Sequence, residues 1–442
     1  MNSSEIKNKA TQNLEIIKNI PIDLSKEILK NPETGYKEFK TSKKIFDTLK
    51  TFELNVEDGI AITGLKTTIQ GSKPGPNIAI LGELDGLPVP DHPFEDKMTH
   101  AAHACGHHIQ IGNMLASLIA LNSKEILDNL SGSITFMAVP AEEYVEIEWR
   151  NIQRANGEFE FLGGKQEFVK LGAFDNIDIS MMTHARKSLK GFGYGGTGNG
   201  LIAKFIEFHG KTSHAGGDPH LGINALNAAN IAMSAIHANR ETFEDENHIR
   251  IHPIITHGGA VVNQIPDLVK IETFVRGSSI DAIKDANYKV DKCLKAGALS
   301  VGGEVEITTL PGYLPIFNDS NLSSLYKENL DNFYDQDQIE EMDHGGGSTD
   351  MGDLAHLMPI IHPYVGGAND GSHHTKEFLI DDYNLPVIEA GKMMAFTVID
   401  LLANNAERAN KIIKEHKRKL SKSQYLRLLR DINSNDTYNF ND

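Results

Sequence analysis

Apolar residues recur at helical spacing through residues 4–30 and again through 41–52, which predicts two helices, and Asn31-Pro32-Glu33-Thr34-Gly35 breaks the chain between them. The pattern then changes period. Residues 77–82, 133–139 and 177–183 are short, nearly continuous apolar runs, as expected of buried strands, and 113–127 reads as a helix between the first two. Strands alternating with helices predict an α/β fold built around one layered sheet.

A glycine-rich stretch at 191–200 interrupts this pattern and reads as a linker. After it come a strand (201–209), a helix (223–238), two strands (250–256 and 268–275), a helix (280–296) and a strand (304–309). That β-α-β-β-α-β order is the split βαβ sandwich, here the size of an inserted domain. The α/β character resumes at Tyr313 and leads to a long helix over 385–403. The expected organisation is a first α/β part at 1–195, an insert at 196–310, a second α/β part at 311–405, and a charged helical extension at 406–442. The final ten residues, Asn433 to Asp442, are polar and are expected to fray.

Composition narrows the function. A chain of 442 residues calls for two or three domains at about 150 residues each. Its net charge of −17 argues against nucleic acid as a partner, because phosphate binding needs a basic stripe. No apolar run approaches the roughly 18 residues of a membrane span, and the N-terminus has no apolar signal region, so a cytoplasmic location is expected. Cys105 and Cys293 are the only cysteines, which excludes a disulfide framework.

Chemistry concentrates in a few places. In His100-Ala-Ala-His103-Ala-Cys105-Gly106-His107-His108, a thiol and an imidazole stand two residues apart among small residues that let the backbone turn both toward one point. Thiolate and imidazole suit zinc. Glu142 and Glu143 follow a predicted strand, where ligands of open α/β sheets gather; one carboxylate can hold metal while the other acts as base. Asp85 and His184 also stand at strand ends, and His373-His374 lies in a loop before the terminal helix. Singly, each has an ordinary structural explanation, a buried hydrophobe for Cys105 or a solvated helix start for the glutamates. Several such clusters in the α/β part of one chain favour a metal site.

These segments are also similar to a known family. Asn31-Pro32-Glu33-Thr34-Gly35-Tyr36-Lys37-Glu38, Gly82-Glu83-Leu84-Asp85-Gly86-Leu87-Pro88, His103-Ala-Cys105-Gly106-His107, Pro140-Ala-Glu142-Glu143, Gly210-Lys211-Thr212-Ser213-His214-Ala215 and Asn263-Gln264-Ile265-Pro266-Asp267 occur in fixed order. They resemble the metallo-exopeptidases and amidohydrolases that include aminoacylase, carboxypeptidase G and succinyl-diaminopimelate desuccinylase. Within that family, His103-Ala-Cys105-Gly106-His107 resembles the branch of auxin-conjugate, hippurate and p-aminobenzoyl-glutamate hydrolases. The resemblance covers about residues 15 to 405. It implies a three-layer α/β/α catalytic domain with an inserted ferredoxin-like lid that commonly forms a homodimer. It further implies Cys105, His107, Glu143, His184 and His374 as ligands of one or two divalent ions, zinc or manganese. Glu142 becomes the general base, Asp85 the carboxylate behind a ligand, and His214 a lid residue that stabilises an oxyanion, often at the partner's site. Asn263 and Arg276 become contacts for the substrate's carbonyl and free carboxylate.

The implied activity is hydrolysis of an amide in a small N-acyl or aminobenzoyl amino acid. A dipeptidase of the same family, or a non-catalytic ligand-binding relative, are the competing readings. The chain departs from the pattern at three points. Glu83 stands where two-metal relatives have a histidine and is not expected to be a ligand, His108 replaces an aspartate, and the His373-His374 doublet leaves the last ligand open, with His374 preferred because Thr375 follows it. Trp149, the only tryptophan, could line an acyl pocket or simply anchor the core.

Overall fold

The computed structural model describes residues 1–440. Its larger sheet has six strands in the order Val56–Ile60, Gly64–Gln70, Ser131–Val139, Lys73–Glu83, Ile179–Met181, Ile360–Ile361. The last four run parallel, and the first two are antiparallel additions at one edge. Side chains alternate along the central strands as the pleat requires. Ile78, Ile80, Ile134 and Phe136 face one core, while Ala79, Leu81, Met137 and Val139 face another. Helices Ser3–Ile17, Asn19–Leu29, His107–Leu121, Ser320–Phe333 and Ala390–Glu415 supply the first core, and Gly164–Leu171, Met351–Ala355 and Lys422–Ile432 the second. This is the expected three-layer α/β/α arrangement.

The smaller sheet joins Arg250–Ile251, Leu268–Gly277, Gly200–His209, Glu304–Pro311 and Ser434–Asn439 in that order, with Ile254–His257 also paired to Leu268–Gly277. Helices Ala225–Ala238 and Ile280–Val301 cover one of its faces and form a core of their own with it. The chain order from Gly200 to Pro311 is the expected β-α-β-β-α-β.

Several boundaries differ from the sequence reading. The first helix is two, parted at Lys18, with Pro21 in the opening turn of the second, where a missing N–H costs nothing. The helix expected from residue 113 already begins at His107. The glycine-rich stretch is not an open linker, since it contains the strands Phe192–Tyr194 and Thr197–Gly198, joined through Gly195 and Gly196 at positive φ.

The C-terminal segment corrects the expected fraying. Residues Ser434–Asn439 pair antiparallel with Glu304–Thr309 and close the free edge of the smaller sheet. Tyr438 and Phe440 pack on its core, and Lys295 Nζ lies 3.8 Å from the Tyr438 ring centre. The preceding helix buries Tyr425 and Leu429 completely under the larger sheet, so one segment ties the two sheets together. Leu429→Ala is expected to cost about 2–5 kcal/mol, read as a lower urea midpoint. An unchanged midpoint would show the helix to be a passive appendage.

Candidate metal centre

Because the strands run parallel, their carboxyl ends lie along one edge of the sheet, where ligands gather in such folds. Lys73–Glu83 ends at Glu83 with Asp85 just beyond. Ser131–Val139 leads into Pro140-Ala141-Glu142-Glu143, Ile179–Met181 delivers His184, and Ile360–Ile361 delivers His362. Cys105 and His107 come from the turn that opens the helix His107–Leu121. Its cap, Gly106, has φ +91°, and a Cβ there would stand 3.1 Å from that of Ala185, so glycine is needed for both conformation and space. His374 also has a positive φ of 64°, and its backbone N–H donates to the Ala104 carbonyl at 2.9 Å, holding the last loop against the cysteine turn.

The side chains converge. Cys105 Sγ is 3.4 Å from His184 Nε2, and His374 Nε2 is 3.2 Å from Glu143 Oε1. His107 Nδ1 lies 2.9 Å from the Asp85 carbonyl oxygen, to which its N–H donates, so its Nε2 lone pair points into the cluster. That atom is 3.1 Å from Glu83 and 3.7 Å from Glu142. Asp85 Oδ1 stands 3.3 Å from His107, while Oδ2 accepts the backbone N–H of Glu143 at 2.8 Å. Asp85 therefore braces two predicted ligands at once.

Two groups share the thiol. Cys105, His107 and His184 form one, and Cys105, Glu143 and His374 the other, with ligand atoms within 4.8 Å of one another. Glu83, His107 and Glu142 form a third such group. Burial and the Glu143 charge work to raise the Cys105 thiol, yet His184, His107 and His374 bring it down to about 6. Glu143 in turn pushes His374 up to about 11. Burial pushes the Glu142 carboxyl well above the usual range, and the charges of Glu83 and Glu143 add to it. A thiolate, three imidazoles and a carboxylate are the donors a zinc-type ion takes. The buried His107 Nε2 and Glu143 Oε1 have charged neighbours but no neighbour in hydrogen-bond geometry, which leaves both lone pairs available to an ion. Metal entry would displace protons from these imidazoles.

The remaining predicted residues divide. Arg276 lines the cavity, its guanidinium 5.3 Å from the Phe274 ring centre. His214 and Asn263 do not line it. They are exposed and near each other, with Ala215 N–H donating to the Asn263 carbonyl at 2.9 Å, and His214 Nδ1 accepts from the N–H groups of Gly216 and Gly217. His373 turns aside to the Ala185 carbonyl at 3.1 Å. His108 points away to the Tyr383 hydroxyl at 3.2 Å. Trp149 lies outside the cavity, beneath Lys37 Nζ at 3.9 Å from its ring centre.

Sequence reasoning missed a buried network behind the cluster. Lys165 Nζ is 2.5 Å from Glu83 Oε1 and also pairs with Asp350. Burial favours the neutral Glu83 acid, but Lys165, with His107 and His184, holds it down at about 2. Gln110 Nε2 donates to Glu83 at 2.9 Å. Two cavity residues were also missed. The Tyr313 hydroxyl donates to the Glu142 carbonyl, and the buried His362 has its Nδ1 3.0 Å from the Met182 carbonyl. The strand-end rule that singled out His184 would also have found His362. Lys165 carries no such signal, since only packing brings it to Glu83.

Residues 79–395 match the model of peptidase family M20/M25/M40. The chain belongs to this family. It is accordingly a metal-dependent hydrolase that acts on amides and takes a divalent metal. Among its relatives, the Xaa-Arg dipeptidase of Mus musculus is 27% identical over 79% of this chain and 75% of its own length. An N-acetylcysteine deacetylase of Bacillus subtilis is 24% identical over 83% and 93%. In fold the M20 chain matches a putative aminohydrolase from methicillin-resistant Staphylococcus aureus, with a TM-score of 0.70 and 23% identity over 90% of this chain and all of that one. A dinuclear metal-binding M20 peptidase of Bacillus subtilis gives a TM-score of 0.64 at 21% identity over 87% and 98%. No helix among the described residues is long and apolar enough to cross a membrane.

Proposed function

We propose that this M20 protein hydrolyses the amide bond of a small N-acyl amino acid with a free carboxylate. The charge of the cavity carries this reading. Its lining includes only two carboxylates, Glu142 and Glu143, against three cations, Arg186, Lys187 and Arg276. Both glutamates are committed to the metal cluster. No further carboxylate lines the space to receive the ammonium of a dipeptide or a basic side chain, and burying such a charge unpaired is costly. The cavity, about 550 Å³, suits a small molecule.

In this reading Cys105, His107, Glu143, His184 and His374 hold the metal, which when bound polarises the substrate carbonyl and acidifies water. Glu142 takes the proton of the attacking water. Its raised carboxyl makes it a stronger base than an ordinary glutamate, and the same group then protonates the leaving amine. Asp85 keeps His107 and the Glu143 backbone in place. Arg276 receives the substrate carboxylate through its planar fork.

His214 and Asn263 reach a reacting carbonyl only as part of a second subunit. Their exposed position supports a homodimer through the smaller sheet, which serves as the lid. Val262 is fully exposed beside Asn263, and Val261, Ile254 and Leu221 add exposed apolar surface nearby.

A panel of N-acetyl and N-benzoyl amino acids against dipeptides, each with Zn²⁺, Mn²⁺ or Co²⁺, tests the substrate class. The acyl compounds should lead by at least about tenfold in kcat/KM. A preference for dipeptides would overturn the reading. Chelation should also lower Tm and added Zn²⁺ restore it, by about 2.7 kcal/mol at a hundredfold excess over Kd.

A further inference from the structure

Resting on the reading of this cavity as an acyl-amino-acid site, we infer that its substrate carries a second carboxylate, recognised by Arg186 and Lys187. The proposed chemistry requires only one, and Arg276 is placed to take it. Arg186 and Lys187 come from another wall, just after the short strand His184–Ala185, whereas Arg276 stands on the smaller sheet.

Unlike the buried Lys165 and Lys204, the cations that line this cavity have no acidic partner. With 60 acidic side chains against 43 basic ones, carboxylates are in surplus, and Lys165, Lys204 and Lys270 each find one. None of Arg186, Lys187 and Arg276 forms an ion pair among the described residues. Nor are the two cations loose. The Arg186 backbone N–H donates to the Val365 carbonyl at 2.8 Å, and its guanidinium lies 5.2 Å from the Tyr364 ring centre. Tyr364 in turn stands against His184, with ring centres 6.2 Å apart, so the guanidinium is close to the metal cluster. Lys187 Nζ donates to Ser372 Oγ at 2.6 Å, in the same loop as His374, and keeps two further donors free. A planar fork and an ammonium that line the same cavity as the metal cluster are groups suited to receive a carboxylate.

That carboxylate belongs either to the amino-acid side chain or to the far end of a dicarboxylic acyl group. Two matched pairs separate these sources, N-benzoyl-glutamate against N-benzoyl-glutamine and N-succinyl-alanine against N-succinamoyl-alanine. Binding is measured by calorimetry on the zinc-loaded Glu142→Gln variant, so that the ligands persist. The charged member of one pair should bind about 10- to 100-fold tighter, the range of hydrogen bonds to a charged group. Arg186→Gln with Lys187→Gln should abolish the difference, and Arg186→Lys with Lys187→Arg should restore much of it. Equal Kd values within both pairs, no binding by any of the four, or a preference that survives the charge-removing variant would each overturn the inference. Ligands that bind but are never cleaved by the wild-type enzyme would instead count against the hydrolase reading.

Discussion

Glu142→Gln should lower kcat by about 100- to 10,000-fold while KM changes little and the bound zinc remains. The glutamine keeps the size of the side chain and its place after Ala141, but it cannot accept a proton. None of the two Cys105 groups proposed as ligands includes Glu142, so the metal should be retained. Kinetics paired with metal analysis of the dialysed protein provides the check. A variant that lost its zinc would make Glu142 a ligand, and one that kept full turnover would place the base elsewhere. The neighbours of Glu142 explain why it rather than Glu143 is suited to this role. Burial raises both carboxyls, but His374 at 3.2 Å offsets it and holds Glu143 ionised, whereas at Glu142 the charges of Glu83, Glu143 and Asp350 add to burial and favour the proton.

His214→Ala should be almost as damaging, about 100- to 1,000-fold in kcat, the range for loss of one oxyanion donor. Its distinctive prediction is complementation. Glu142→Gln and His214→Ala proteins should each be nearly inactive alone. In a mixed dimer, the subunit that keeps Glu142 would receive His214 from its partner, and one complete site results. Co-expression in equal amounts should restore about a quarter of wild-type activity, because half of the dimers are mixed and each has one working site of two. Activity that stays at the level of the single variants would show that His214 acts within its own chain or not at all. A monomer in analytical ultracentrifugation would dispose of the dimer reading directly.

Much of the architecture was legible because the signals are local and repeated. Short apolar runs located the central strands, and the order of elements after residue 200 defined the β-α-β-β-α-β unit. Glu142, Glu143 and His184 were readable as candidates because parallel strands bring their carboxyl ends to one edge, and Cys105 because of its spacing to His107. Lys165 and Asp350 were not readable. They reach Glu83 only when the helix Gly164–Leu171 and the turn before Met351–Ala355 pack on one face, and nothing in spacing records that.

The C-terminal residues mark the same boundary from the other side. Ser434–Asn439 are polar, and by composition alone they belong to solvent. They form a strand because Glu304–Pro311 offers an unpaired edge whose backbone donors and acceptors need partners. The sequence by itself determined the α/β class, the order of elements along the chain and the candidate thiol, imidazole and carboxylate donors, because these depend on local pattern and on donor type. Only the tertiary structure decided that Asp85 braces His107 and Glu143 together, that His374 and not His373 faces Glu143, and that His214 stands outside its own cavity. Those outcomes depend on distances between segments far apart in the chain, which packing sets.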